Sequence, residues 1–125
     1  MNISRNFMLI GVLFLIVGIA FGMHMSASGN HTMTAVHVHI NLLGFVLMTL
    51  FGLVYRTFPA MASHVLAKVH FWLHLVGSIV LLVMLYLLLA GRITEAGMVP
   101  LAPISEVAIL LGIILFGWNL WQNGK

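Results

Sequence analysis

Seven histidines and no cysteine set the chemistry open to this chain of 125 residues. Without thiols there are no disulfides, thiolate metal sites or iron–sulfur clusters. His37 and His39 form a His-Val-His triplet. Successive helical residues turn by about 100°, so residues two apart lie about 200° apart. On a helix the two imidazoles therefore face opposite sides and serve two different sites. His70 and His74 are four apart and share one face, where they can hold one metal ion or line a haem edge. His24 stands between Met23 and Met25, with His31 and Met33 following. That cluster suits monovalent copper, although methionine is also an ordinary filler of apolar cores. His31 and His64 fall in loops, where a solvated ring is the simplest expectation.

Neutral imidazoles with neither carboxylate nor thiolate around them suit haem b, which two histidines from facing helices hold in a six-coordinate site. Copper is the competing cofactor. Zinc is disfavoured, since its sites usually add a carboxylate or water ligand. The chain lacks Cys-x-x-Cys-His, so haem is not attached covalently.

The elements that carry these residues are membrane helices. The sequence is 62% hydrophobic and only 6% charged, against about 25% charged in soluble domains. A chain this short cannot hide so much apolar surface in water. A soluble enzyme and a nucleic-acid binder are both excluded. Four apolar runs are long enough to span a bilayer: residues 7–25, 35–55, 69–90 and 104–121. The expected fold is an all-α membrane bundle of four helices forming one domain over residues 1–125. The runs are apolar all round rather than alternating, which argues against a barrel. The first run exceeds the roughly 7–15 residues of a signal-peptide core and reads as a retained helix. Ser26 to Thr32, Thr57-Phe58-Pro59 and Gly91 to Pro103 are the joints.

Arg5, Arg56, Lys68 and Lys125 fall on one side of this arrangement, and Arg92 on the other. The bias places both termini in the cytoplasm and the loops at 26–34 and 91–103 outside. Tyr55, Trp72, Trp118 and Trp121 are then expected near the cytoplasmic interface. The spans contain no Asp, Lys or Arg, and Glu106 lies only at the start of the last, which argues against a proton pump or voltage sensor. Gly18 and Gly22, and the fourth-helix Gly112 and Gly117, read as points of close helix packing. Antiparallel packing sets His70 opposite about Val54, so the two histidine pairs differ in depth by roughly 15–20 Å. One site cannot use both pairs.

Residues 35–77 resemble the catalytic subunit I of the haem–copper oxidase superfamily, and more closely its short four-helix relatives. The resemblance is carried, in order, by His37-Val38-His39, Gly44, Phe58-Pro59, Ala67-Lys68-Val69-His70-Phe71 and Gly77. It covers about a third of the chain. It implies that His37 and His39 bind the irons of two different haems near the outer face. It also implies a ring of twelve helices in three arcs, which a homotrimer of this chain would rebuild. Each site between copies would then receive one His37 and one His39. The family's copper centre needs a His-His pair and its proton channels need acids and lysines within the membrane. Both are missing here, so oxygen reduction coupled to pumping is not expected. His70 matches a family histidine without a metal role and is expected to hydrogen-bond a carbonyl or a haem propionate. His74 has no family counterpart, and Arg92 is the one outer cation that could meet a propionate.

The leading expectation is a b-type haem protein of the cytoplasmic membrane of a prokaryote, moving electrons or holding haem, with an unidentified redox partner. Two alternatives stand beside it. One is an enzyme or gas-binding protein acting on nitric oxide or oxygen at a labile haem. The other is a copper-handling or assembly protein using the outer Met and His residues or His70 and His74. Histidines that only pack and hydrogen-bond remain the plainest alternative.

Overall fold

Asn2 starts the first helix, its side chain accepting from the Arg5 amide at 3.0 Å. This is N-capping, in which a short polar side chain satisfies an orphan N–H. The computed structural model describes all 125 residues. Helix α1 runs Ile3–Ser28 and stops at Gly29, whose φ of 69° is the left-handed conformation that glycine adopts freely. Helix α2 spans Thr34–Thr57, α3 spans Val65–Leu89 and α4 spans Leu101–Asn123. All four are long and apolar enough to cross a membrane, so this is an all-helical, multi-pass membrane protein. A short helix, Pro59–Ser63, joins α2 to α3, with Pro59 in its first turn. A 3-10 turn at Ala96–Met98 lies in the loop before α4.

The helices differ from the runs expected from hydropathy by a few residues at their ends, mostly by being longer, although α3 stops at Leu89. Polar and proline residues account for the starts of α1, α3 and α4. Asn2 caps α1, and the His64 side chain caps α3 by accepting from the Leu66 amide at 3.2 Å. Pro103, expected to break the chain before α4, lies inside its first turn. A proline there forfeits only an N–H that has no helical partner.

The middle of α2 departs from α-geometry. Ile40–Val46 is π-helical. The buried residues explain what this does. Val36, Ile40, Gly44 and Met48 are buried at four-residue steps. In a straight α-helix such a stripe drifts by about 40° per step. The wider π turn takes the drift back, so one face of α2 stays against the bundle.

Neighbouring helices run antiparallel, which brings both termini to one end of the bundle. Helix α1 packs closely on α2: Ser4 Oγ donates to the Gly52 carbonyl at 2.9 Å, and Gly11 lies against Thr49. Helix α3 packs on α4 through Gly77, where an added Cβ would stand 3.0 Å from the Ser105 carbonyl oxygen. An aromatic core joins the two pairs at the end carrying the termini. Phe7, Met48, Phe51, Tyr55, Met61 and Phe71 form its centre, with Phe116 packed against it. Toward the opposite end a smaller cluster, Val36, Ile40 and Leu82, joins α2 to α3, beside a cleft of about 540 Å³ lined only by apolar residues, among them Phe14, Phe21 and Leu82. The outward faces are apolar too. Leu13, Ile16, Val107 and Leu110 are more than half exposed or close to it, as a lipid-facing surface requires.

Candidate functional site

His37 and His39 occupy the first turns of α2, immediately before the π segment. His37 is half-buried and turned toward α1, where its Nδ1 donates to the Gly18 carbonyl at 2.7 Å. A Cβ on Gly22 would stand 3.0 Å from His37 Cε1. A Cβ on Gly18 would collide with the Asn41 side-chain oxygen. The glycine pair therefore makes room for two polar side chains of α2, His37 and Asn41, rather than only for close backbone packing. Gly117, read in the same way, has nothing within 4 Å of an added Cβ.

His39 is exposed on the other side of α2. Its Nδ1 donates to the Ala35 carbonyl at 2.7 Å, one turn back along its own helix. A carbonyl can only accept, so in both rings the proton sits on Nδ1 and Nε2 carries the lone pair. Neither Nε2 is hydrogen-bonded. Each ring is thus oriented by one nitrogen and open at the other, the division seen in imidazoles that bind metals. Exposed Leu42 and Val46 continue the His39 face as an apolar stripe. Within one chain no three His, Cys, Asp or Glu side chains converge. Each face of α2 offers one imidazole.

His70 and His74 lie together in the core, both wholly buried. His70 Nδ1 is 2.9 Å from the Tyr55 hydroxyl. The expected antiparallel register, His70 opposite Val54, was close. That register is the sequence signal that points to Tyr55 as the neighbour of His70. Tyr55 is only 1% exposed and stacks on Phe7. Trp72, Trp118 and Trp121 do lie on the surface. The carbonyl partner expected for His70 belongs to His74, whose Nε2 donates to the Leu43 carbonyl at 2.8 Å. Leu43 lies within the π segment, where the register of helical bonds shifts and a carbonyl becomes free to accept elsewhere. No periodicity in the sequence marks that shift. His70 Nε2, His74 Nδ1 and the Ser78 hydroxyl are buried without partners.

The Met and His residues of the first loop do not close on one point. Met23 is 67% exposed, while Met25 is buried, its sulfur 3.9 Å from the Thr34 hydroxyl. His24, Met25 and Met33 share the lining of an open cavity of about 750 Å³ with Asn30 and Thr32. His31 is exposed, as expected, whereas His64 is the α3 cap rather than a solvated loop residue. Arg92 is exposed in the loop after α3. No protein-family model, curated protein or solved structure matches the chain.

Proposed function

We propose that this chain is a membrane-embedded b-type haem protein, with each haem held between two copies by His37 of one and His39 of the next. A homotrimer closes such a head-to-tail arrangement and leaves no ligand unused. The observation that carries this reading is the paired orientation of the two rings. Both Nδ1 atoms are fixed by carbonyls, both Nε2 atoms are unpartnered, and the rings face different sides of one helix. One chain cannot direct both rings to one iron, whereas adjacent copies can. The donors fit the group: neutral imidazoles in an apolar setting, with the Leu42 and Val46 stripe beside His39 to lie against a porphyrin. Bound haem would supply one-electron chemistry. The protein's own part is to orient two imidazoles and exclude water. Electron transfer or haem holding follows, without the copper centre that oxygen reduction uses. Arg5, Arg56, Lys68 and Lys125 at the terminal end favour termini in the cytoplasm.

Complementation tests the arrangement. His37→Ala and His39→Ala chains each lack one ligand at every interface, and each alone is expected to lose its haem. Co-expressed in equal amounts they should regain about a quarter of the wild-type haem, because one junction in four then joins an intact His37 to an intact His39. Haem retained by either variant alone, or no recovery in the mixed assembly, overturns the arrangement.

A further inference from the structure

We propose that His70 and His74 form a second site, inside a single chain, which binds one monovalent copper ion. The pair stands apart from His37 and His39 and depends on no haem.

Both rings are 0% exposed and both are half-satisfied. His70 is held through Nδ1 by the Tyr55 hydroxyl at 2.9 Å. His74 is held through Nε2 by the Leu43 carbonyl at 2.8 Å. The opposite nitrogens, His70 Nε2 and His74 Nδ1, are buried with no partner. A buried imidazole nitrogen with nothing to bond costs free energy. Two of them on one face of one helix, each backed by an outer partner, form the ligand pattern of a metal site. The separation of the rings permits a shared ion. An ion about 2.0 Å from one nitrogen of each ring sets the ring centres no more than roughly 6.3 Å apart. The observed separation is 6.0 Å. Helix α4 packs closely on this pair: a Cβ on Gly112 would stand only 3.3 Å from His70 Cδ2, so the glycine lets the ring lie against α4.

The surroundings select the ion. The spans supply no carboxylate here to balance a divalent charge, and only two nitrogens are free, where zinc takes four ligands. Monovalent copper carries one charge and accepts neutral donors. Phe51 and Phe116 rings, centred 4.5 and 5.1 Å from the His70 ring, give the site a polarisable lining suited to a cation. Two further polar side chains lie at the terminal end of the bundle. Asn123 Nδ2 donates to Asn119 Oδ1 at 2.8 Å, and Asn119 Nδ2 to the Met61 carbonyl at 3.0 Å.

The test titrates the full-length protein in detergent with cuprous ion under anaerobic conditions, against a chromophoric cuprous chelator. X-ray absorption at the copper edge then reads the ligands. One copper per chain is expected, with two nitrogen neighbours at about 1.9–2.0 Å and no sulfur. The double variant His70→Phe/His74→Gln should lower affinity by about tenfold or more, and Tyr55→Phe by a smaller factor. Tyr55→Phe preserves the aromatic packing, so it reports on the site even where the double variant folds poorly. A variant of the outer loop, His24→Ala/His31→Ala, should leave affinity unchanged. Sulfur in the copper shell, loss of binding in the outer-loop variant, or no binding above buffer would each overturn the proposal. The last result would leave the two nitrogens to buried water.

Discussion

His37 Nδ1 lies 2.7 Å from the carbonyl oxygen of Gly18, and that one bond fixes both the tautomer and the direction of the ring. It ties α2 to α1 at the level where α2 also presents His39 on its other side. Gly18 and Gly22 permit the approach. Gly22→Val should therefore push the His37 ring from its place. Overpacking of this kind costs about 1–3 kcal/mol. Thermal unfolding in detergent should show a loss in that range, with a larger fractional loss of bound haem than of folded protein. Unchanged haem content with Gly22→Val would separate His37 from the cofactor.

Gly18→Ala differs from Gly22→Val in which side chain it strikes. Its Cβ meets the Asn41 amide rather than the imidazole. The expected outcome is destabilisation of the α1–α2 pair by about 1–3 kcal/mol, measured by thermal melting. Asn41→Ala on the same background should recover part of that loss, because it removes the colliding group.

His74→Leu removes the donor to the Leu43 carbonyl and leaves that oxygen buried and unpaired. The expected cost is about 1–3 kcal/mol. Amide hydrogen exchange should quicken most in residues 40–46, where the π segment has lost its outside partner. His74→Gln keeps a side-chain N–H donor and should restore much of the protection. Exchange spread evenly along α2 would mean that His74 does not hold the π segment.

Much of this architecture is legible in the sequence, and the reasons are physical. Apolar runs with few charges dictate four membrane helices, since no other element hides so much backbone from lipid. The two-residue spacing of His37 and His39 dictates opposite faces, and the rings do take them. Hydropathy is a poorer guide to where the helices end. Asn2 and His64 lengthen helices that hydropathy cuts short, because a cap satisfies backbone groups without being apolar itself. The burial of Tyr55 is not legible in the sequence, because an interfacial preference describes depth in the membrane and says nothing of which neighbour, here His70, its hydroxyl meets. The π segment is invisible to periodicity. It shows only when the buried four-residue steps from Val36 to Met48 are seen on one face.

Carbon monoxide distinguishes the electron-carrying reading from a gas-binding one. A haem held by two imidazoles has no open position, so the reduced protein should give little or no spectral change with carbon monoxide. A large, rapid change would favour a labile site that accepts nitric oxide or oxygen.

The most direct measurement is an absorption spectrum of the detergent-purified protein, oxidised and then reduced with dithionite, with haem and chain concentrations measured on the same sample. The expected result is a sharp reduced b-type spectrum with haem near one per chain, lost to the same extent in His37→Ala and His39→Ala. A colourless protein after expression with ample haem, or a coloured one indifferent to both substitutions, would contradict the proposed cofactor site.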